Sequence, residues 1–263
     1  MSRTLIIRAC AIGDFVLNLP TLHAVRKTWP DKALTLVGYP STLELAREFI
    51  PVEGIYSIES PPWSRLFHEP VSGLDFDGAI VWMKDPVLAE NLRGSGIRDI
   101  VSADPFPSYG HAATHLLRTL KLGAPPLPDL WQPESERIVI HAGSGSPRKN
   151  WPYFEELAGR LSDVVNLFGP NEESISRKEI LPLPQVFQLL RRCRAYIGND
   201  SGITHLAAYL GCPTVAIFGP TDPRIWGPIG RRSRVIWKAK LEDISVEEVL
   251  LALPCKPPRH RQP

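Results

Sequence analysis

Residues 195–228 read AYIGNDSGITHLAAYLGCPTVAIFGPTDPRIWGP, and this stretch constrains the fold more than any other. The apolar run Ala195 to Ile197 breaks into Gly198-Asn199-Asp200-Ser201-Gly202. An amphipathic run, Ile203 to Leu210, follows and is stopped by Gly211-Cys212-Pro213. A second apolar run, Thr214 to Phe218, ends in Gly219-Pro220-Thr221-Asp222-Pro223. The spacing predicts strand, polar turn, helix, strand, polar turn. In open parallel sheets ligands sit at the carboxyl ends of the strands, where both polar turns fall. Asp200 or Ser201 can cap the helix, and Gly202 lets a ligand approach its free N–H groups. Such a helix start suits phosphate or pyrophosphate. An ordinary βαβ unit also has polar turns, so the pattern alone assigns no ligand.

The same alternation runs along the whole chain. Strands are expected at Thr4–Ala9, Leu34–Tyr39, Ile55–Ile58, Gly78–Met83 and Arg98–Ser102, and helices at Gly13–Trp29, Leu43–Ile50 and Tyr109–Leu122. Pro20, inside the first helix, predicts a kink or a late start. Residues 123–136, GAPPLPDLWQPESE, are rich in proline and acid, lack a period and read as a linker. The pattern then restarts. Strands are expected at Arg137–His141, Val164–Phe168 and Arg234–Trp237, beside the two already described. Helices are expected at Trp151–Leu161, Pro184–Cys193 and Ser245–Leu253, the last capped by Ser245 with Glu247 and Glu248 near its start. Alternating strand and helix on both sides of one linker predicts an α/β protein of two Rossmann-like parallel-sheet domains. Their bounds are 1–128 and 129–256, with a basic tail at 257–263. Each is large enough to hold its own core, and the cleft between such domains is the default binding site.

Composition excludes several classes. A formal net charge of +2 is too small for a nucleic-acid binder. No apolar run approaches the ~20 residues that cross a bilayer. The segment MSRTLIIRACAIGDF reads as a first strand rather than a signal peptide, because Arg8 and Asp14 interrupt a short apolar stretch. Cys10, Cys193, Cys212 and Cys255 form no C-x-x-C pair and read as reduced cytosolic thiols, mostly buried. His111 and His115 have i, i+4 spacing, but Ala112 stands where the zinc-protease motif needs Glu. They read as helix-surface or acceptor-side residues, and no metal-ligand set is found. Basic residues cluster at Arg191, Arg192 and Arg194, at Arg231, Arg232 and Arg234, and in the tail. Such clusters are solvated surface or attract an anionic acceptor or acidic lipid headgroups.

Two further segments carry candidate chemistry. The first strand ends in Ala11-Ile12-Gly13-Asp14. A carboxylate in a first helical turn is held ionised by the dipole. It can cap the helix or, facing the cleft, act as a general base. His141-Ala142-Gly143-Ser144-Gly145-Ser146-Pro147-Arg148-Lys149-Asn150-Trp151-Pro152 is a glycine- and serine-rich loop. Its N–H groups and the hydroxyls of Ser144 and Ser146 suit phosphate oxygens, and Lys149 can neutralise them. It is neither a P-loop nor a dinucleotide fingerprint, since Arg148 stands where the third glycine should be.

The wording D-S-G-x-x-H-L-A-A-x-L-G-x-P-x-x-x-x-F-G-P-T-D-P from Asp200 resembles the nucleotide-sugar signature of the ADP-heptose lipopolysaccharide heptosyltransferases, glycosyltransferase family nine. I-I-R-x-x-x-I-G-D-x-x-L-x-x-P around Asp14 resembles that family's N-terminus, and Lys149-Asn150-Trp151-Pro152 its K-x-W-P element. The resemblance implies a GT-B fold, two Rossmann-like domains facing across a cleft. It implies Asp14 as base and Lys149 on the donor phosphates. It places Asp200, Ser201, Gly202, His205, Gly219 and Thr221 in the donor site, with Trp226 a candidate wall of the base pocket. An acidic residue after the strand at 164–168 would take the ribose hydroxyls. Glu172 fits that spacing best, and Glu173 is the alternative. Residues 40–110 match no motif of the family.

One carboxylate suffices for such chemistry. A glycosidase must protonate a leaving alkoxide and needs two. A nucleoside diphosphate leaves as a stable anion once cations or N–H groups meet its charge. The expected activity is therefore inverting, metal-independent transfer of a heptose, or similar sugar, from an ADP-sugar. The acceptor would be the lipopolysaccharide core or another anionic saccharide or glycolipid. No cofactor is expected beyond the donor, and no nucleic acid. The setting would be the cytoplasm, with peripheral contact at the inner membrane. The alternatives are the same chemistry with another nucleotide sugar or acceptor, and a non-catalytic nucleotide-sugar-binding or assembly protein.

Overall fold

The computed structural model describes residues 2–169 and 180–254, and the chain divides into two compact units, Met1–Pro126 and Leu127–Pro263. The first opens with β1 (Arg3–Arg8), whose Leu5 and Ile7 are fully buried. A strand covered on both faces reads as a continuous apolar run, as parallel sheets require. Helix α1 (Ile12–Thr28) follows without a late start at Pro20. Proline inside a helix costs about 3 kcal/mol. Phe15, Leu19, Leu22 and Val25 are all at most 1% exposed, and each such burial returns roughly 1.5–3 kcal/mol, so packing outweighs the break.

Strand β2 (Ala33–Gly38) leads into a short helix, α2 (Pro40–Leu43), and a 3-10 stretch at Glu44–Glu48. The expected helix over 43–50 is therefore mostly a 3-10 stretch, which ends where Phe49 N–H donates to Ala46 O, before β3 (Gly54–Ser57). After β4 (Gly78–Val81) comes an unanticipated helix, α3 (Val87–Gly94). It buries Leu88, Ala89 and Leu92 on one face, an i, i+1, i+4 pattern visible in the sequence. Strand β5 (Asp99–Ser102) precedes α4 (Ala112–Thr119). That helix is shorter than the spacing predicts at both ends. Gly110 takes φ 72° and Lys121 φ 56°, conformations that end a right-handed helix, and the His111 side chain caps the first turn. The five strands are all parallel, in the order β3-β2-β1-β4-β5.

The second unit repeats the plan with β6 (Ile138–His141), α5 (Phe154–Gly159), β7 (Val164–Leu167), α6 (Leu183–Arg192) and β8 (Ala195–Asn199). It continues with α7 (Gly202–Tyr209), β9 (Thr214–Phe218), α8 (Pro223–Trp226), β10 (Ser233–Trp237) and α9 (Val246–Ala252). Helix α5 begins three residues later than the spacing predicts, because Trp151 is 2% exposed and its N–H goes to the Asn199 side chain rather than a helical carbonyl. Ser245 closes a capping box with Glu248 at α9. The sheet is parallel, in the order β10-β9-β8-β6-β7.

The linker is less free than its composition reads. Within the second unit, Leu130 N–H donates to Leu210 O, Gln132 N–H to Arg191 O and Glu134 N–H to Arg192 O. The Trp131 indole donates to Cys193 O. The arginine clusters hold this strap. Arg191 donates to Leu130 O, Arg231 to Leu127 O, and Arg192 pairs with Glu134. Arg232 grips Asp129 through two bonds of 2.7 and 2.9 Å while its guanidinium stacks on Trp131 at 5.0 Å. Most arginines of those two clusters are thus spent on their own chain. Beneath the strap, the fully buried Cys193 and Cys212 bring their sulfurs to 3.5 Å, a proximity that nineteen residues of separation conceal.

Candidate functional site

In each sheet the strand order reverses once, between β1 and β4 in the first unit and between β6 and β8 in the second. Ligands of open α/β sheets sit outside the carboxyl ends of the strands at such a reversal. The loop after β6 carries Ser144, Ser146 and Lys149, and the turn after β8 carries Asp200, Ser201 and Gly202. The Asp14 segment follows β1. Ser144, Ser146, Lys149, Asp200, Ser201, Gly202 and Asp14 therefore follow strands at the two reversal points, whereas Gly219 and Thr221 follow β9.

The second-unit cluster is tight. Lys149 Nζ donates to Asp200 Oδ2 at 2.7 Å, and His205 Nε2 lies 3.6 Å from Asp200 Oδ1. Burial pushes the Asp200 carboxyl up. Hydrogen bonds from His205, Lys149 and Thr221 and the lysine charge outweigh that and hold it lowered, from 3.8 to about 2. Asp200 is thus an anion at neutral pH although only 7% exposed. It orients the lysine and the histidine. The ammonium has three donors, and one is used on Asp200. The two left can meet an anion. His205 is 4% exposed, and its buried Nδ1 has no hydrogen-bond partner among the described residues.

Of the two candidate caps, Ser201 takes the role, accepting from Thr204 N–H at 3.4 Å. Such a cap contributes about 1 kcal/mol, and it leaves the first N–H groups of α7 free. The residues that hold this turn were not singled out from the sequence. Asn199, fully buried, accepts from Trp151 N–H at 3.0 Å and donates to Ala142 O at 2.6 Å, joining the two loops. His141 Nδ1 lies 3.2 Å from Ser201 Oγ. Thr204 Oγ1 contacts Tyr196 OH at 3.0 Å. The signal was a polar residue closing each of two apolar strands, His141 after Ile140 and Asn199 after Gly198.

The other expected residues have neighbours of their own. Ser144 Oγ lies 2.6 Å from Ser146 O and accepts from Ser146 N–H at 3.2 Å, so this hydroxyl folds its own loop. Gly219 accepts the Trp237 indole N–H at 3.1 Å, and a Cβ there would come within 2.7 Å of Leu241 Cγ. Thr221 bonds Asp200. Trp226 ends α8 and is half-buried. His115 Nε2 lies 2.8 Å from Asp104 O in the first unit. Glu172, Glu173 and the basic tail lie outside the described residues.

In the first unit Asp14 stands in the first turn of α1, half-buried, with no hydrogen bond or ion pair among the described residues. It does not cap: the N-cap is Ala11, which has no side-chain acceptor. Burial pushes the neighbouring Cys10 thiol up to about 11, which removes it as a thiolate nucleophile. Arg8, 5% exposed, donates to Trp82 O at 3.3 Å and ties the ends of β1 and β4 together.

Two five-stranded parallel sheets with polar loops gathered at their reversal points define an α/β protein of the two-domain GT-B class. A profile described as Glycosyltransferase family 9 (heptosyltransferase) matches residues 117–250, half of the chain, and the chain belongs to that family. Lipopolysaccharide heptosyltransferase 2 of Escherichia coli (strain K12) is 34% identical over 128 residues, 39% of this chain and 37% of that protein. Lipopolysaccharide heptosyltransferase 1 of Pseudomonas aeruginosa is 32% identical over 117 residues, 38% of this chain and 33% of that protein. The aligned stretches thus span little more than a third of these relatives' length. Among solved structures, the E. coli heptosyltransferase WaaC with ADP superimposes with a TM-score of 0.73 at 18% identity, covering 95% of this chain and 98% of that one. The family 9 glycosyl transferase from Veillonella parvula DSM 2008 gives 0.75 at 20% identity, covering 95% of each. These two likenesses establish the fold.

Proposed function

We propose that the chain is an inverting, metal-independent glycosyltransferase. It moves a heptose or similar sugar from an ADP-sugar to the lipopolysaccharide core or another saccharide acceptor. The observation that carries this reading is the Lys149–Asp200–His205 cluster at the start of α7, inside the stretch that the family profile matches. A lysine oriented by a buried carboxylate, beside free helix N–H groups, is a cradle for a diphosphate. Related folds have been solved with ADP and with ADP-2-deoxy-2-fluoro heptose. Residues 129–256 then bind the donor through the loop of Ser144 and Ser146 and through Lys149, Asp200, Ser201, Gly202, His205, Gly219 and Thr221, with Glu172 or Glu173 on the ribose. Residues 1–128 present the acceptor.

Asp14 Oδ takes the proton of an acceptor hydroxyl. That oxygen attacks the anomeric carbon as the bond to the diphosphate breaks, and ADP leaves as an anion. In-line attack inverts the anomeric centre. Asp14 suits the role because it is half-buried, stands in the first turn of α1 and has no hydrogen bond or ion pair among the described residues. No metal is required where Lys149 and α7 meet the leaving charge. The reaction would run in the cytoplasm, with peripheral contact at the inner membrane where the acceptor is lipid-linked.

The test is a transfer assay with ADP-heptose, UDP-glucose and GDP-mannose against a panel of saccharide acceptors, with and without chelator. The expected result is ADP release and an inverted product from ADP-heptose alone, unaffected by chelator. Tight ADP binding without turnover on any acceptor would favour the non-catalytic alternative. Loss of turnover in chelator, restored by one divalent ion, would overturn metal independence.

A further inference from the structure

Cys193 and Cys212 stand at the two ends of one segment of the second unit. Cys193 follows α6 and Cys212 follows α7, so residues 194–211 between them contain β8, the turn at Asp200–Gly202 and all of α7. Both side chains are fully buried, both thiols are free, and their sulfurs lie 3.5 Å apart. A disulfide bond is about 2.05 Å long, so the two sulfurs need about 1.5 Å of further approach to join. Neither thiol has a part in the transfer reaction.

The strap at 127–134 is fastened to both flanks of this pair. On one side the Trp131 indole donates to Cys193 O at 2.8 Å. On the other, Leu130 N–H donates to Leu210 O, and Arg232 donates to Gly211 O at 3.0 Å while it holds Asp129. The Arg232 charge favours the Cys212 thiolate, but burial acts more strongly and pushes that thiol up. The thiolate is the reactive form in disulfide chemistry. The pair therefore stays reduced while the strap is fastened, and releasing the strap lets water and oxidant reach it.

We propose that Cys193 and Cys212 are a reversible disulfide site, oxidised by a low-molecular-weight disulfide when the strap at 127–134 is released. In the first step one thiolate of the pair attacks a sulfur of the small disulfide. That S–S bond breaks, and one small thiolate leaves and takes up a proton. In the second step the other protein thiolate attacks the protein sulfur of the mixed disulfide. The protein S–S bond forms, and the second small thiolate leaves and takes up the second proton. Two electrons pass from the protein thiols to the small disulfide, which ends as two thiols. The new bond clasps residues 194–211 at their base, and with them Asp200, Ser201 and His205.

The experiment incubates the full chain with oxidised glutathione, alkylates the remaining thiols and maps unreduced peptides by mass spectrometry. A peptide pair linked through Cys193 and Cys212 should accumulate slowly and disappear after dithiothreitol. Trp131→Phe keeps a ring but loses the donor to Cys193 O, and Asp129→Asn loosens the grip of Arg232. Each should speed the linkage about five-fold or more, the scale of one lost hydrogen bond. Where a variant fails to fold, the wild-type chain in urea below its unfolding midpoint should show the same acceleration. Absence of the linked pair from the wild-type chain and from every loosened sample would overturn the site. So would glutathione left on Cys193 or Cys212 without closure, or a disulfide through Cys10 or Cys255 in its place. Equal rates in wild type, variants and urea would overturn the part given to the strap. Amide hydrogen exchange over residues 195–209 should slow in the oxidised chain, because a clasped segment opens less readily; an unchanged rate there would refute the clasp.

Discussion

Asp200 stays ionised in a buried turn only because Lys149, His205 and Thr221 point at it, so Asp200→Asn tests how the proposed donor site is held together. The fall of its carboxyl from 3.8 to about 2 corresponds to about 2 kcal/mol in favour of the folded, ionised form. The sign follows from linkage. A carboxyl depressed in the folded state contributes stability that is present above its unfolded value, near 3.8, and is lost as pH falls toward about 2. Asn keeps the shape and has no such titration. Urea unfolding of wild type and variant, followed by tryptophan fluorescence from pH 5 to pH 2.5, gives the difference between them. That difference should shrink by most of about 2 kcal/mol across pH 4 to 2.5 and stay flat above pH 5. Variant and wild-type curves that remain parallel through the whole range would refute the argument, whatever their offset at pH 7.

Asp14→Asn should lower transfer by about 10²-fold or more, the scale of general-base catalysis, while the calorimetric affinity for ADP hardly changes; activity within a few-fold of wild type would leave the chain without its base. Lys149→Ala should weaken ADP roughly 10- to 100-fold, the worth of a charge-assisted hydrogen bond to phosphate, and an unchanged dissociation constant would remove Lys149 from the cradle. Gly230→Ala should lower the urea midpoint by the equivalent of about 2 kcal/mol or more, because a Cβ there would stand 2.3 Å from the Ala208 carbonyl of α7; wild-type stability would show that this backbone can yield. Ser201→Ala should cost about 1 kcal/mol through the lost cap, measured in the same melts.

The alternation of apolar runs with polar turns determined most of the architecture. Where a run is both long and buried on each side, as at Thr214–Phe218, local pattern and final structure agree, because a fully covered parallel strand has no other way to satisfy its backbone. The site segments were legible for a related reason. A helix start after a strand must leave N–H groups free, and small polar residues such as Asp200-Ser201-Gly202 mark it in the sequence. Helix lengths were not legible at 43–50, 109–122 and 151–161, where left-handed residues, a tightened turn and the Asn199–Trp151 bond decide the ends. Only tertiary structure set Asn199 and His141 as the staples of the turn at Asp200–Gly202. Only it turned two arginine clusters inward on the strap at 127–134 and brought Cys193 against Cys212. Each of these depends on groups dozens of residues apart, or on either side of a helix, whose meeting is fixed by strand order. No local pattern of charge or hydrophobicity encodes that order.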